Sequence, residues 1–188
     1  MAGKASNVYT QFGEDGLIQA ALDRIGETNR HCLEIGAADG RFYSNTLRLR
    51  ELGWFAVLIE SGDEQFGELK TTYGDESVCI HETCSDLDST LADTGISSSL
   101  DLGIIDIDGQ DYWLWHDMVE YRPRVLLVEI FPRDVSRPIP ERGAGMEHQA
   151  GLDAIAQLGT AKGYVLAATT HCNALFIDRT ELEKHGSG

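Results

Sequence analysis

The stretch His31-Cys-Leu-Glu-Ile-Gly-Ala-Ala-Asp-Gly40 carries the strongest fold signal in the chain, an apolar strand that runs into a glycine turn. A helical stretch and a second apolar strand at 55–60 follow, and this strand ends in Glu60. Glycines in such a βαβ unit let the backbone approach a ligand closely, and a carboxylate at the second strand end can bind a ribose diol. The segment therefore predicts a nucleoside-binding half-site.

The glycine spacing differs from that of dinucleotide-binding proteins. Their fingerprint has a further glycine that packs helix on strand beside a pyrophosphate, whereas this turn has only Gly36 and Gly40. Asp39 would also repel a pyrophosphate. A nucleoside without phosphates, such as S-adenosylmethionine, fits the pattern better.

Strand candidates alternate with helical stretches along most of the chain, which is typical of a parallel sheet covered on both faces. The first helix is predicted from Glu14 to Ile25, where apolar residues recur on one face and Gly26 follows. Residues 170–172 are too few for a crossover helix, so the last two strands must pair antiparallel. The strand candidates are 31–36, 55–60, 78–82, 102–107, 124–130, 164–169 and 173–178.

This order of elements predicts an α/β, Rossmann-like fold, with a mostly parallel seven-stranded sheet, a C-terminal antiparallel hairpin and helices on both faces. Five parallel strands followed by a hairpin is the order of the class I methyltransferases. We expect a single domain over residues 1–188, because this length suits one hydrophobic core.

Composition argues against several classes of partner. The chain has 15 Lys and Arg against 31 Asp and Glu, and its formal charge of −16 repels a nucleic acid backbone. No stretch of about 20 uncharged apolar residues is present to cross a membrane, and no apolar signal-peptide core follows Met1. We expect a cytoplasmic protein with reduced thiols, because its four cysteines have no CxxC spacing.

Carboxylates follow several of the predicted strands, at the sheet edge where ligands bind in open α/β folds. Asp63 and Asp111 each precede a helical pattern, so capping is an equal alternative for these two. Asp106 and Glu129 end strongly apolar strands. Burying an unpaired carboxylate is costly, so we expect these two to face a ligand, a metal or a cleft.

Five motifs, in this order, resemble those of the FkbM-type methyltransferases, and the similarity extends over residues 9–180. The resemblance implies the class I fold, S-adenosylmethionine as methyl donor, and O-methylation of sugars or natural products. The motifs are Gln11-Phe-Gly-Glu-Asp-Gly16; Glu34-Ile-Gly-Ala-Ala-Asp-Gly40; Ser44-Asn-Thr46 with Gly53-Trp54 and Leu58-Ile-Glu60; Ile105-Asp-Ile-Asp-Gly-Gln-Asp-Tyr-Trp113; and Asn173-Ala-Leu-Phe-Ile177.

The resemblance also implies which residues contact the donor. Gly36 and Gly40 would pass beneath its methionine and ribose parts, and Glu60 would bind both ribose hydroxyls. Ser85 and Asp86 would lie near the adenine amino group. The predicted cofactor-binding residues are Gln11, Asp15, Glu34, Gly36, Ala37, Gly40, Asn45, Glu60, Ser61, Ser85, Asp86 and Asp106.

Three of these residues have an equally simple structural role. Gln11 and Asp15 precede or begin the first helix, so they either close over the methionine part of the donor or cap that helix. Asn45 either contacts the ligand or is the N-cap of a helix at 46–52, and we favour the cap.

A hydroxyl acceptor must lose its proton during methyl transfer, so the site needs a base or a metal ion. Asp106 is the first candidate and Asp108 the second, and His148 and His171 are candidates from the acceptor side. Alternatively, Asp106, Asp108 and Glu129 together bind Mg²⁺, which lowers the pKa of the acceptor.

The expected function is methylation of a hydroxyl on a small metabolite or sugar. One alternative is another reaction of the same donor, cyclisation or aminocarboxypropyl transfer. A second is a non-catalytic module that binds the cofactor. The segment 131–147 looks short for an acceptor-covering element, so a partner subunit in a homo-oligomer is one expected way to close the cleft.

Overall fold

The computed structural model of the protein describes residues 8–83, 86–145 and 148–185. The predicted first helix and all seven predicted strands are present, the strands with ends shifted by two residues at most. The elements are α1 (Glu14–Ile25), β1 (His31–Ile35), α2 (Leu47–Glu51), β2 (Phe55–Glu60), α3 (Asp63–Tyr73), β3 (Val78–His81), α4 (Leu87–Leu91), β4 (Leu102–Ile105), α5 (Asp111–Asp117), β5 (Val125–Glu129), α6 (Leu152–Ala161), β6 (Tyr164–Thr169), β7 (Asn173–Asp178) and α7 (Arg179–His185).

The seven strands form one sheet in the order β3-β2-β1-β4-β5-β7-β6. The first five are parallel, and β7 pairs antiparallel with both β5 and β6. The chain leaves β1 towards one edge and returns at β4 on its other side, so strand order reverses between these two neighbours. The predicted α/β fold with its C-terminal hairpin is confirmed.

Helices cover both faces of the sheet, as expected for strands that are apolar on both sides. One face packs against α1, α2 and α3, and the other against α4, α5 and α6. Trp115 on α5 is fully buried and contacts the rings of Tyr164 and Phe176. Among the helices that the structure describes, none combines the length and apolar character needed to cross a bilayer.

A buried arginine joins the elements at the amino ends of β4 and β5. The Arg124 side chain is 5% exposed and forms ion pairs with Asp101 at 2.7 Å and Glu181 at 2.6 Å. It also donates to the carbonyl oxygens of Ile25 and Gly26, where α1 ends. Burial opposes ionisation of Asp101, but hydrogen bonds from Thr28 and Arg124 hold its pKa below the ordinary value.

We predict that Arg124→Met lowers the free energy of unfolding by about 3–5 kcal/mol, because it leaves Asp101 as a buried charge without its cation. The matched control is Arg142→Met, which removes an exposed arginine paired with Asp117 and is expected to cost about 0–1 kcal/mol. Urea denaturation of both variants measures the difference. Equal stability of the two variants would show that the buried ion pair does not hold this edge.

Candidate functional site

A cleft of about 760 Å³ lies at the carboxyl ends of β1, β2, β4 and β5, where the strand order reverses. This volume is within the usual range for small-molecule sites. The loops that follow these strands, and the segment after β5, form its walls. Ligands of open α/β sheets bind at this position.

The floor of the cleft is a close backbone contact between the loops after β1 and β4. Gly36 has φ +82°, and a Cβ atom built on it would lie 1.7 Å from the carbonyl oxygen of Asp106. The amide of Asp106 donates to the carbonyl of Ile35 at 3.1 Å, and the amides of Gly36 and Ala37 donate to Ile59. Only glycine permits this approach, so position 36 serves the fold of the site as well as ligand access.

Glu60, at the end of β2, connects two loops of the cleft. Its carboxylate accepts the backbone N–H of Ala38 at 2.8 Å and that of Gly62 at 2.7 Å, one on each oxygen. The residue is half-buried and lines the cleft. A carboxylate has about four acceptor positions, so roughly two remain for a ligand.

Glu34 has its hydrogen bonds filled by the protein. Its buried carboxylate accepts from the hydroxyls of Ser44 and Thr46 and from the amide of Asn45. The negative charge therefore holds the loop before α2 in place.

Asn45 is not the N-cap of α2, which contradicts the role we favoured. Thr46 occupies the N-cap position, and the hydroxyl of Ser44 accepts the amide of Leu47 instead. Asn45 is 8% exposed and lines the cleft, and its buried Oδ1 accepts no hydrogen bond from the described residues. A buried acceptor without a donor is costly, so Asn45 leaves an unused acceptor in the cleft wall.

Asp106 and Glu129 form a carboxyl pair at the ends of two neighbouring strands. Parallel pairing of β4 with β5 places Ile105 opposite Val128, and the two carboxyl groups that follow lie close enough to share a hydrogen bond when one of them is protonated. Burial and repulsion from Asp111 raise the pKa of Asp106, and burial and repulsion from Asp106 raise that of Glu129. The pair therefore holds one proton at neutral pH.

The loop after β4 is shaped by Asp111. This buried carboxylate accepts the amides of Ile107 and Gly109, each at 2.9 Å. Asp108 between them is exposed, has φ +55° and donates its amide to Glu129 at 3.1 Å. Asp111 is thus the first residue of α5 and closes its preceding loop, while Asp108 is left at the cleft.

The segment after β5 is attached to α5 next to the cleft. The Gln110 amide donates to the carbonyls of Glu141 and Ala144 and accepts the amide of Gly143. Trp113 donates its indole N–H to the carbonyl of Pro140 at 2.8 Å. These contacts position Ala144 and Gly145 in the cleft wall.

Comparisons with known proteins place this geometry within one fold. No protein-family model matches the sequence, and no curated protein matches it. Solved structures do match: magnesium protoporphyrin IX methyltransferase from Synechocystis PCC 6803 with bound S-adenosylmethionine has a TM-score of 0.55 at 13% identity, over 87% of this chain and 77% of that chain. The chain has the class I methyltransferase fold.

Two further structures agree with this fold. A putative O-methyltransferase from Klebsiella pneumoniae has a TM-score of 0.57 at 12% identity, covering 94% of this chain and 83% of its own. The methyltransferase domain of bacterial CtHen1-C has a TM-score of 0.58 at 10% identity, over 87% and 95% of the two chains. In all three comparisons the common feature is the class I methyltransferase fold.

Most of the predicted site residues come together in the cleft of this methyltransferase fold. The structure places nine of them in its lining: Gln11, Glu34, Gly36, Ala37, Asn45, Glu60, Ser61, Asp106 and Asp108. Ser85 lies outside the described residues. Four others, Asp15, Gly40, Asp86 and His148, do not line the cleft.

Three of those four have another role. Asp15 accepts the amides of Val8 and Tyr9 and orders the chain before α1. Gly40 packs on α3, where an added Cβ would meet Leu69 at 2.6 Å. Asp86 accepts the amide and hydroxyl of Ser89 and caps α4. His148 is exposed.

Sequence reasoning missed residues on either side of the predicted motifs. Glu82 and Thr83 line the cleft because β3 ends at His81, one residue before the predicted end. Further examples are Phe42, Tyr43, Gln65 and Cys172, and Gln110 is one that lies inside the fourth motif. Burial raises the pKa of the Cys172 thiol to about 12, so this group stays protonated.

The predicted magnesium site is not supported. Within the described ranges, no three His, Cys, Asp or Glu side chains are arranged to hold a metal ion. Asp106 and Glu129 share a proton with each other, and Glu129 also accepts the amide of Asp108. These contacts use oxygen atoms that a hard cation would need.

We predict that Gly36→Ala lowers the free energy of unfolding by about 3 kcal/mol, because it adds a clash with Asp106 to the strain of a positive φ. Gly53→Ala is the matched control, since Gly53 also has φ +82° and an added Cβ would meet nothing within 4 Å. The control isolates the strain, about 1–2 kcal/mol. Urea denaturation that gives equal losses for both variants would contradict the close contact.

Proposed function

We propose that this protein transfers a methyl group from S-adenosylmethionine to a hydroxyl of a small metabolite or sugar. The observation that carries the proposal is the Glu60 carboxylate, which faces the cleft at the point of strand-order reversal with two acceptor positions left. Two adjacent ribose hydroxyls match these two positions. The class I methyltransferase fold supports the same donor.

The remaining groups of the cleft fit the other parts of the donor. The buried Oδ1 of Asn45 is an acceptor for the ammonium of the methionine part. Glu34 is not available for this role, because its carboxylate already accepts hydrogen bonds from the loop before α2. Glu82 and Thr83 lie at the end of β3, on the side of Glu60 where the adenine ring would be placed. We keep Ser85 as a further adenine contact.

S-adenosylmethionine, when bound, supplies a methyl group activated by a positively charged sulfur. The protein's part is to hold the acceptor hydroxyl in line and to remove its proton. The acceptor oxygen forms the bond to the methyl carbon, the carbon–sulfur bond breaks with its electron pair left on sulfur, and the hydroxyl proton passes to the pair of Asp106 and Glu129. Because the two carboxyl groups share only one proton, the pair keeps one negative charge that can accept the proton of the hydroxyl.

The finer assignments belong to the same proposal. The five motifs support membership of the FkbM-type methyltransferases, and the charge of −16 supports a small-molecule acceptor rather than a nucleic acid. We also propose a single domain that works in the cytoplasm and forms a homo-oligomer.

We predict that Glu60→Gln weakens binding of S-adenosylmethionine and S-adenosylhomocysteine by about 10- to 100-fold, the scale of about 1.5–3 kcal/mol for hydrogen bonds to a charged group. Glu64→Gln, an exposed carboxylate at the start of α3, should bind as the wild type does. Calorimetry measures both affinities, and circular dichroism checks folding. Wild-type affinity in a folded Glu60→Gln protein would remove the ribose contact from the proposal.

The product released from the donor tests the reaction itself. Incubation with S-adenosylmethionine and a panel of hydroxylated metabolites should yield S-adenosylhomocysteine, detected by mass spectrometry. Methylthioadenosine would instead indicate cyclisation or aminocarboxypropyl transfer. Binding without any product would indicate a cofactor-binding module.

We predict that Asp106→Asn lowers kcat by about 100-fold, the scale of a lost general base, while affinity for S-adenosylhomocysteine changes less than about threefold. Asp93→Asn, an exposed carboxylate outside the cleft, is the control. In the wild type, kcat/KM should fall as pH drops through the raised pKa of Asp106, well above about 3.9 for a free aspartate, because the base is lost on protonation. A wild-type profile without this acid limb, or near-normal turnover of the variant, would assign the base elsewhere.

A further inference from the structure

The acceptor end of the cleft carries negative charge without a compensating cation. Asp106, Asp108 and Glu129 line this end, and the ion pairs formed among the described residues include none of them. No Lys, Arg or His side chain lines the cleft in the part of the chain that the structure describes. The positively charged sulfur of the donor would offset part of this charge, but Asp108 and the pair of Asp106 and Glu129 together keep two negative charges, so an anionic acceptor would be repelled.

A second feature of the cleft, which the proposed function assigns to the ammonium of the methyl donor, requires a hydrogen-bond donor from a ligand. Asn45 is more than nine-tenths buried and lines the same cleft, and its Oδ1 has no donor among the described residues. The ligands of this cleft therefore have to bring N–H or O–H groups.

Exposed aromatic rings in the cleft lining also favour a positively charged ligand. Phe42 and Tyr43 line the cleft although 66% and 47% of their surface is exposed, and their ring centroids lie 3.9 Å apart. Tyr43 is held at φ +55°, in a conformation that few bulky residues adopt. Aromatic faces attract ammonium groups, so the rings and the carboxylates select ligands of the same charge.

We propose that the acceptor is a hydroxylated amine, such as an amino sugar or amino alcohol, whose protonated amine binds at Asp108 and the rings of Phe42 and Tyr43 while its hydroxyl faces Asp106. This inference rests on the proposed methyl transfer and adds the acceptor's charge to it. Carboxylated and phosphorylated acceptors are excluded by the same carboxylates. Asp108 is then a binding residue, and Asp106 remains the proton acceptor.

The first experiment separates metabolites by charge before they meet the protein. A cell extract is divided by ion exchange at pH 7 into cationic, neutral and anionic fractions, and each is incubated with the full chain and trideuteromethyl-S-adenosylmethionine. Labelled product in the cationic fraction is the expected result. Label in the neutral or anionic fraction overturns the inference while methyl transfer stands, and absence of label from all three contradicts the proposed function.

The second experiment tests whether Asp108 binds the protonated amine, and it follows once the labelled acceptor is known. Asp108→Asn suits the backbone at φ +55°, which Asn adopts readily, and should raise the acceptor KM and its calorimetric Kd about tenfold with kcat nearly unchanged. Asp75→Asn, exposed and away from the cleft, should leave both unchanged. The wild-type KM should also rise with salt, because the attraction is screened. A KM that falls with salt, or a variant with lower kcat and unchanged Kd, overturns the inference.

Discussion

The contact between Gly36 and the carbonyl of Asp106 is the constraint on which the site depends. It brings together the loops after β1 and β4, the two neighbouring strands between which the strand order reverses. Glu60 then fixes the first loop from the β2 side, and Glu129 fixes the second from the β5 side. The cleft is thus defined by backbone positions before any side chain meets a ligand.

The two ends of the parallel strands differ in how their buried charges are compensated. At the amino ends, Arg124 and Asp101 are buried together, and each has its hydrogen bonds satisfied within the protein. At the carboxyl ends, Asp106 and Glu129 are partly buried and form no ion pair with any of the described residues, and a shared proton makes their proximity tolerable. The amino edge therefore carries a compensated ion pair, whereas the carboxyl edge, which lines the cleft, carries a carboxyl pair.

The sheet was predictable because its strands are apolar on both faces and bounded by turns, as β2, β6 and β7 illustrate by matching their predicted bounds. The hydrogen-bond partners of buried polar side chains were not predictable, because they depend on the paths that the loops take. Glu34 and Asn45 are the clearest case: both lie in a recognised motif, yet the loop before α2 occupies the carboxylate and leaves the amide oxygen open. Gly40 also has a positive φ of +76°. It does not line the cleft, and it packs against α3, where an added Cβ would lie 2.6 Å from the side chain of Leu69.

The way in which the segment after β5 is attached has an evolutionary consequence. Gln110 and Trp113 hold this segment through its main-chain carbonyl and amide groups at Pro140, Glu141, Gly143 and Ala144. Every residue type carries a main-chain carbonyl, so most substitutions in the segment preserve its docking. Substitutions in this segment can therefore change the side chains of the cleft wall while Gln110 and Trp113 keep its backbone in place, so the shape of the wall is separable from its anchorage.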